Sequence, residues 1–502
     1  MKLKLGSTHY VGMKMLKRIR NFLYGQREIN FLTLRETLIL SISAIAAFHI
    51  AYTIPQCSFL IAVYLYCLFR LAWVRKTTLA LYLGLIVGLS IIVPHFFFFW
   101  TIFGPKAIAF WFIGAIWWGI FFLISRMSLK KLNRIVAVLL IPFIWTGCEY
   151  FQSELYYFRC SWLIPGYTFS HNPQNLLLDY IGVYGVAFLI MFAIAIFLLL
   201  SAKKAFLPKI VLLLLLAAAV NIRATPPDAS TQHKGPFVVA VQVEPAVAKE
   251  PSSIEETLSY LDLAIEKHPN ADIVSMPEVT FLTPPPSEIL SWCEQNQRYI
   301  IVGGLRNISP ESDDTYNAAF VISPEGKIVF EQAKSTPVPF LDTSLPAKEQ
   351  NLWNSPWGKI GICICWDMSF TRVTDKLVKL GAQALIVPSA DLFEWGSHEQ
   401  YLHARVTPVR AAEYSLPIFR VCNAISQLTS PTGQVLTSTS SPSPGKIVAG
   451  HLLLKKKGSI PIDRIIAPLS TILTAMIILL FLVQSVLNKY LTSARNPQDR
   501  AM

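Results

Sequence analysis

Ile181-Gly-Val-Tyr-Gly-Val-Ala-Phe-Leu-Ile-Met-Phe-Ala-Ile-Ala-Ile-Phe-Leu-Leu-Leu200 runs for twenty residues without a charged side chain. As a helix such a run is ~30 Å long, the thickness of the hydrocarbon core of a bilayer. Comparable runs lie to either side, at roughly 37–53, 57–74, 78–100, 107–125, 135–150, 205–221 and 465–487, and the run quoted sits inside a span of 180–201. The reading is therefore a polytopic α-helical membrane bundle of about eight spans. One buried helix of a soluble protein accounts for a single run, but not for eight. Composition agrees: 53% of the 502 residues are hydrophobic and 15% are charged, against about 25% charged in soluble domains.

The net charge of +13 raises nucleic-acid binding, but the placement of the charges argues against it. Lys2, Lys4, Lys14, Lys17, Arg18, Arg20 and Arg27 precede the first run. Arg75 and Lys76 follow the second, and Arg126, Lys130, Lys131 and Arg134 lie between the fourth and fifth. Lys203 and Lys204 follow the sixth, and Lys489, Arg495 and Arg500 follow the last. Each cluster falls in an alternate loop, as expected where basic loops face the cytoplasm. Both termini are then inside and segment 222–464 is outside. The basic leader is long and no small-residue cleavage site follows the first run, so that run is expected to be retained. The expected organisation is a cytoplasmic leader (1–36), a bundle (37–221), an extracytoplasmic domain (222–464), a last span (465–487) and a cytoplasmic tail (488–502).

The segment 151–179 is rich in aromatics, including Tyr156, Tyr157, Phe158, Trp162, Tyr167 and Phe169. It reads as an external loop, either anchored at the headgroups or touching substrate. Composition shifts at Thr225-Pro-Pro-Asp228. Beyond it, Phe237-Val-Val-Ala-Val-Gln242, Ala271-Asp-Ile-Val-Ser-Met276, Tyr299-Ile-Ile-Val302, Lys359-Ile-Gly-Ile-Cys-Ile364 and Ala384-Leu-Ile-Val387 read as buried strands. Helical stretches at 253–268, 287–296 and 373–380 alternate with them, and a hairpin is expected around Pro324-Glu-Gly326. Such alternation implies an α/β domain. The eight cysteines are scattered, with no metal-type CxxC pair and no legible disulfide framework; no metal or cofactor is expected.

Three reactive side chains each follow a strand: Glu278 in Met276-Pro-Glu278, Lys334 in Ala333-Lys-Ser335, and Cys365 in Gly361-Ile-Cys-Ile-Cys-Trp-Asp367. Ligands of α/β domains usually bind at the carboxyl ends of strands. A thiol becomes a good nucleophile on losing its proton; a carboxylate can take that proton, and an ammonium can stabilise the oxyanion formed during attack on an acyl group. Taken singly, each residue has a plain alternative, a core cysteine or a solvated charge. Cys363 shares a strand face with Cys365, so periodicity alone does not choose between the thiols.

Pro277-Glu278, Lys334 with Val338-Pro-Phe340, and Cys365-Trp-Asp367 resemble the nitrilase (carbon–nitrogen hydrolase) superfamily. With helices on both sides, almost the full length resembles the apolipoprotein N-acyltransferase family. Trp162, Gly166-Tyr167, Ile181-Gly-Val-Tyr-Gly185, Tyr316-Asn317, Arg410-Ala-Ala-Glu413 and Arg420-Val-Cys-Asn423 also fit its pattern. The resemblance implies a nitrilase-like αββα sandwich over roughly 232–455, with Glu278 as general base, Lys334 as oxyanion-stabilising cation and Cys365 as nucleophile. It places Asp342, Trp366, Asp367, Asn317, Trp162 and Tyr167 in supporting or substrate-binding positions. It implies a bacterial inner (cytoplasmic) membrane location with the catalytic domain on the periplasmic side. The implied reaction takes an acyl chain from a phospholipid, holds it as a thioester, and passes it to the α-amine of a lipoprotein's diacylglyceryl-cysteine. A membrane-anchored amidase or acyltransferase of the same superfamily, acting on another amine or amide, is the alternative. The chain departs from the family at Leu341-Asp342, where Gly-Glu is usual, and at Trp366-Asp367, where Tyr-Glu is usual. It also differs at Gln242-Val-Glu244, which leads to Lys249 without the usual Trp, and at Ser389-Ala390-Asp391.

Overall fold

The computed structural model describes residues 30–175, 177–200, 232–233, 235–309, 312–439 and 444–495. The expected span at 205–221, the linker at 225–228 and most of the basic leader lie outside the described residues.

The apolar runs form helices α1 (Leu34–Thr53), α2 (Leu60–Leu71), α3 (Thr77–His95), α4 (Ala107–Lys131), α5 (Arg134–Tyr150) and α6 (Val183–Leu199). Among the described residues, five helical stretches are long and apolar enough to cross a membrane: Leu34–Thr53, Thr77–His95, Phe98–Lys131, Arg134–Leu155 and, in the last part of the chain, Asp463–Asn488. Helix α1 opens on a capping box, in which Thr33 Oγ1 accepts from Glu36 N–H at 3.2 Å and Glu36 Oε2 accepts from Thr33 N–H at 2.8 Å. Helix α2 is shorter than the 57–74 expected from hydropathy. Its 12 residues reach ~18 Å, because a turn at Pro55–Cys57 takes up the start of the run. Helices α3 and α4 pack closely through small residues. A Cβ added at Gly84 would lie 2.5 Å from the Trp118 carbonyl, and one at Gly88 would lie 2.9 Å from that of Ala115.

Segment 151–179 is not a free external loop. It forms a π-helical turn (Phe151–Leu155) and a 3₁₀ turn (Pro165–Phe169), with Trp162, Tyr167 and Phe169 buried.

The second half contains β1 (Phe237–Val241), α7 (Ile254–Lys267), β2 (Ile273–Ser275), α8 (Ser287–Asn296), β3 (Tyr299–Asn307), β4 (Thr315–Ile322) and β5 (Ile328–Ala333). These are followed by β6 (Leu352–Ser355), β7 (Gly358–Ile362), α9 (Thr371–Leu380), β8 (Ala384–Ser389), α10 (Ser397–Ala404) and α11 (Val406–Tyr414). The remainder is β9 (Ile418–Cys422), β10 (Gln427–Thr429), β11 (Val435–Ser438), β12 (Ile447–His451) and the long helix α12 (Asp463–Arg495). Two six-stranded sheets result, in the orders β12-β1-β2-β3-β4-β5 and β11-β10-β9-β8-β7-β6. The two-residue period of a strand sorts the side chains. Val239 and Val241 of β1 pack with Leu261 of α7 and Ile289 of α8, whereas Val238 and Ala240 enter the other core with Ile362, Leu385 and Phe419 of the second sheet. Helices thus cover one face of the first sheet while the sheets share the other. That second core runs on into the helical bundle without a break.

The two halves are clamped by buried charge. Arg410 pairs with Glu413, and Arg464 of α12 reaches Asp375 (3.0 Å), Glu413 (3.1 Å) and Asp463 (2.7 Å). The first amides of α6 point into this clamp: Val183 N–H donates to Glu413 Oε1 (2.8 Å) and Tyr184 N–H to Asp463 Oδ2 (3.0 Å). Carboxylates at a helix N-terminus satisfy otherwise orphaned amides. Gly182 precedes them at φ +72°, where a Cβ would sit 2.0 Å from the Asp463 carboxyl carbon. This accounts physically for the Ile181-Gly-Val-Tyr-Gly185 motif.

Candidate active site

Glu278 follows β2 across Met276-Pro277, and its N–H donates to the Ser389 carbonyl of the other sheet at 3.3 Å. The β3 backbone approaches so closely that a Cβ at Gly303 would lie 2.6 Å from Glu278 Cα. Lys334 is the first residue after β5, and its N–H donates to the Asn317 carbonyl at 2.7 Å. Cys365 opens a 3₁₀ turn (Cys365–Ser369) just beyond β7 and has φ +51°. Left-handed φ is costly for side chains with a Cβ. Five non-glycine residues show it among the described residues, and three of them, Val279, Phe340 and Cys365, line one cavity.

That cavity has a volume of about 460 Å³ and brings Glu278, Lys334 and Cys365 together. Lys334 Nζ lies 2.7 Å from Glu278 Oε1 and 3.1 Å from Asp342 Oδ2. Asn317 Nδ2 donates to the same two carboxylates at 2.7 and 3.3 Å, and Ala390 N–H donates to Glu278 Oε2 at 3.1 Å. Burial alone would lower the pKa of the Lys334 ammonium. The charges of Glu278 and Asp342 outweigh it and hold the group well above its ordinary range. Burial would likewise raise the Asp342 carboxyl, but Lys334 and Ser344 hold it below its usual value. Asp342 therefore reaches the lysine despite being one methylene shorter than the usual glutamate. Burial pushes the Cys365 thiol well up, and the Glu278 charge and a hydrogen bond to that carboxylate add to the rise. The resting thiol is thus protonated, with the Glu278 carboxylate on the same cavity wall.

Much of the apolar cavity wall comes from the helical half: Ile92, Phe96, Phe99, Ile102, Phe103, Phe110 and Ile113. At its mouth Phe340, 65% exposed, lies 5.7 Å from the Phe110 ring and stacks on Phe158 at 5.8 Å.

Asn317, Asp342, Trp366 and Trp162 line the cavity with the three reactive residues; Asp367 and Tyr167 do not. Asp367 instead braces the backbone, accepting from Ser335 N–H (3.0 Å) and Ile364 N–H (3.3 Å). Tyr167 is fully buried, about 6.0 Å from the Arg410 guanidinium. Cys363 is fully buried and outside the cavity lining, so the fold separates two thiols that periodicity could not.

Sequence reasoning missed a second group. Asp391, Glu399 and His403 are buried on the same cavity wall. His403 Nδ1 lies 2.6 Å from Asp391 Oδ1, and Arg420 Nη2 lies 2.6 Å from Asp391 Oδ2. Burial would raise the Asp391 carboxyl, but Arg420 and His403 hold it well below its ordinary range. The ligand atoms of the three residues lie within 4.8 Å of one another, yet the guanidinium of Arg420 already supplies the cation they face. The available signal was the i, i+4 spacing of Glu399 and His403 on one helix, directly after Asp391.

Two family profiles match the chain: Carbon-nitrogen hydrolase over residues 237–450, and Apolipoprotein N-acyltransferase N-terminal domain over residues 44–197. The chain is a divergent member of the apolipoprotein N-acyltransferase family. A Geobacter metallireducens protein named apolipoprotein N-acyltransferase is 25% identical over 346 residues, covering 60% of this chain and 65% of that protein. The Saccharomyces cerevisiae omega-amidase NIT3 is 24% identical over 183 residues, covering 30% of this chain and 62% of its own. The chain thus spans just under two thirds of the length of these relatives. The crystal structure of Saccharomyces cerevisiae Nit3, a member of branch 10 of the nitrilase superfamily, aligns with 46% of this chain and 93% of its own, at 18% identity and a TM-score of 0.39.

In this family member Asp367 stands where glutamate is usual, and its burial has a measurable consequence. Burial raises its carboxyl from 3.8 to about 6. The folded state therefore holds the proton more tightly than the unfolded chain does. Its contribution is fully present below pH ~4 and is lost as pH rises towards 6, a change on the order of 3 kcal/mol. Asp367→Asn keeps an acceptor oxygen but removes the titration. Thermal unfolding in detergent should show the two proteins alike below pH 4 and the variant gaining stability relative to the parent up to pH 6–7; a constant offset across that range would refute this.

Proposed function

We propose that the protein transfers an acyl chain from a phospholipid, through a thioester on Cys365, to the α-amine of the diacylglyceryl-cysteine at a lipoprotein's N-terminus. One observation carries the reading: a single cavity joins Glu278, Lys334 and Cys365 to an apolar wall built from membrane-type helices. A soluble substrate has no use for that wall, whereas an acyl chain does.

In this reading Glu278 takes the thiol proton as Sγ attacks the ester carbonyl. Lys334 neutralises the oxyanion, and the proton then passes to the departing lysophospholipid oxygen. The amine attacks the thioester next, restoring the thiol. Asp342 and Asn317 hold Lys334 and Glu278 in register. The alternating basic loops support a bacterial cytoplasmic membrane with the catalytic domain on the periplasmic side. The omega-amidase likeness keeps a second reading in view, a membrane-anchored amidase or acyltransferase acting on another amine or amide.

Two measurements separate the readings. Protein purified with phospholipid should carry an acyl adduct on Cys365 and none on Cys363, read by peptide mass spectrometry. Depletion of the protein in cells should leave lipoproteins diacylated. Fully triacylated lipoproteins after depletion would overturn the lipoprotein assignment.

A further inference from the structure

Two residues of the cavity wall each hold a buried polar atom without a hydrogen-bond partner among the described residues: His403 Nε2 and Glu399 Oε2. Each residue is about 2% exposed, and both line the cavity that contains Cys365. Leaving a buried polar atom unpaired costs roughly 1–3 kcal/mol, which points to a partner that arrives with the substrate.

The arrangement specifies what kind of partner. Asp391 lies 2.6 Å from His403 Nδ1 and is itself held by Arg420 and by its own N–H donating to Asn423 Oδ1 at 2.9 Å. When the imidazole is neutral and Nδ1–H donates to the ionised Asp391, Nε2 is left with a bare lone pair. The imidazole is fixed in place by Trp162, stacked on it at 5.0 Å, and Trp162 in turn meets Trp366, the neighbour of Cys365, at 4.9 Å. A lone pair on nitrogen and a carboxyl oxygen together accept hydrogen bonds from a donor with several N–H groups. Asp391, Glu399 and Arg420 face His403; Cys365 lies close enough to interact electrostatically with Asp391 and Arg420.

We infer that His403 and Glu399 form the subsite for the acceptor's primary ammonium, with His403 taking its first proton. This rests on the thioester reading above. The α-ammonium donates to His403 Nε2 and Glu399 Oε2, and one proton moves to Nε2. The neutral amine attacks the thioester carbonyl; the N–C bond forms and the C–S bond breaks. The second amine proton returns through Glu278 to Sγ, and His403 gives its proton to solvent. Glu278 thus serves the sulfur in both half-reactions, and a separate base serves the nitrogen.

The test uses the full-length protein in detergent with Cys365 loaded from p-nitrophenyl hexadecanoate, so that loading does not depend on phospholipid. Discharge is then followed with glycinamide, an α-ammonium, and with hydroxylamine, which is uncharged at neutral pH. His403→Gln should slow discharge by the ammonium about 100-fold at pH 7. That rate should recover as pH rises past the amine's own ionisation near ~8, while discharge by hydroxylamine keeps the parent's rate. Glu399→Met should raise the concentration of ammonium needed for half-maximal rate and leave hydroxylamine unaffected. Equal losses with both nucleophiles, an amine deficit that pH does not repair, or no deficit would each overturn the inference. Failure to load from phospholipid alone, with normal loading from the activated ester, would instead count against the donor assignment.

Discussion

Cys365→Ala is expected to abolish the acyl adduct and to lower acyl transfer by about 10⁴-fold or more, the scale on which loss of a covalent nucleophile is felt. The expectation follows from position. Cys365 sits at a left-handed turn on the cavity wall beside Glu278 and Lys334, with its thiol pushed up by burial so that attack depends on a neighbouring base. Cys363→Ala is the matched control. That thiol is wholly buried in the core, so its loss should cost stability and leave the adduct in place. Intact-protein mass and lysophospholipid release measure both effects. An adduct that persists at full occupancy in Cys365→Ala would remove the basis of the proposed chemistry.

Lys334→Met should have the second largest effect, and it should act twice. In the proposed chemistry it removes the charge that meets the developing oxyanion, worth about 10²–10³-fold in rate for a single donor. It also leaves Glu278 and Asp342, which meet Lys334 at 2.7 and 3.1 Å, buried without a counterion. Breaking a buried pair on one side costs about 3–5 kcal/mol. The sign with pH follows from linkage. Without the lysine, burial is left to raise the Asp342 carboxyl in the folded state above its unfolded value. The folded variant is then most secure below pH ~4 and loses stability as pH rises through the raised value. Thermal unfolding of variant and parent at pH 5 and pH 8 should show the larger deficit at pH 8. Equal melting of the two proteins at both values would show that this ion pair is not buried as described. Lys334→Arg should not rescue activity, because a planar guanidinium cannot replace a point charge between two carboxylates.

The local pattern foretold much of the molecule. Charge-free runs such as 181–200 became helices because a backbone in an apolar medium must satisfy its hydrogen bonds internally. The alternation in Phe237–Val241 became a strand with two different cores on its two faces. Glu278, Lys334 and Cys365 could be picked out because each follows such a strand. Hydropathy was a poorer guide where turns intrude, so the run at 57–74 yields only the 12 residues of α2. The aromatic segment 151–179 read as a loop because its turns are too short to show a period, although packing buries its central part, 161–170.

The sequence by itself determined which stretches are helical or extended and which residues could carry the chemistry, since periodicity and apolar length are properties of neighbours along the chain. Only the tertiary structure decided which of two alternating cysteines faces a cavity, that Phe110 and Phe340 share its mouth, and that Asp391, His403 and Arg420 meet behind it. A cavity is defined by segments far apart in the chain, and its shape depends on how whole sheets and helices pack, which no local pattern encodes.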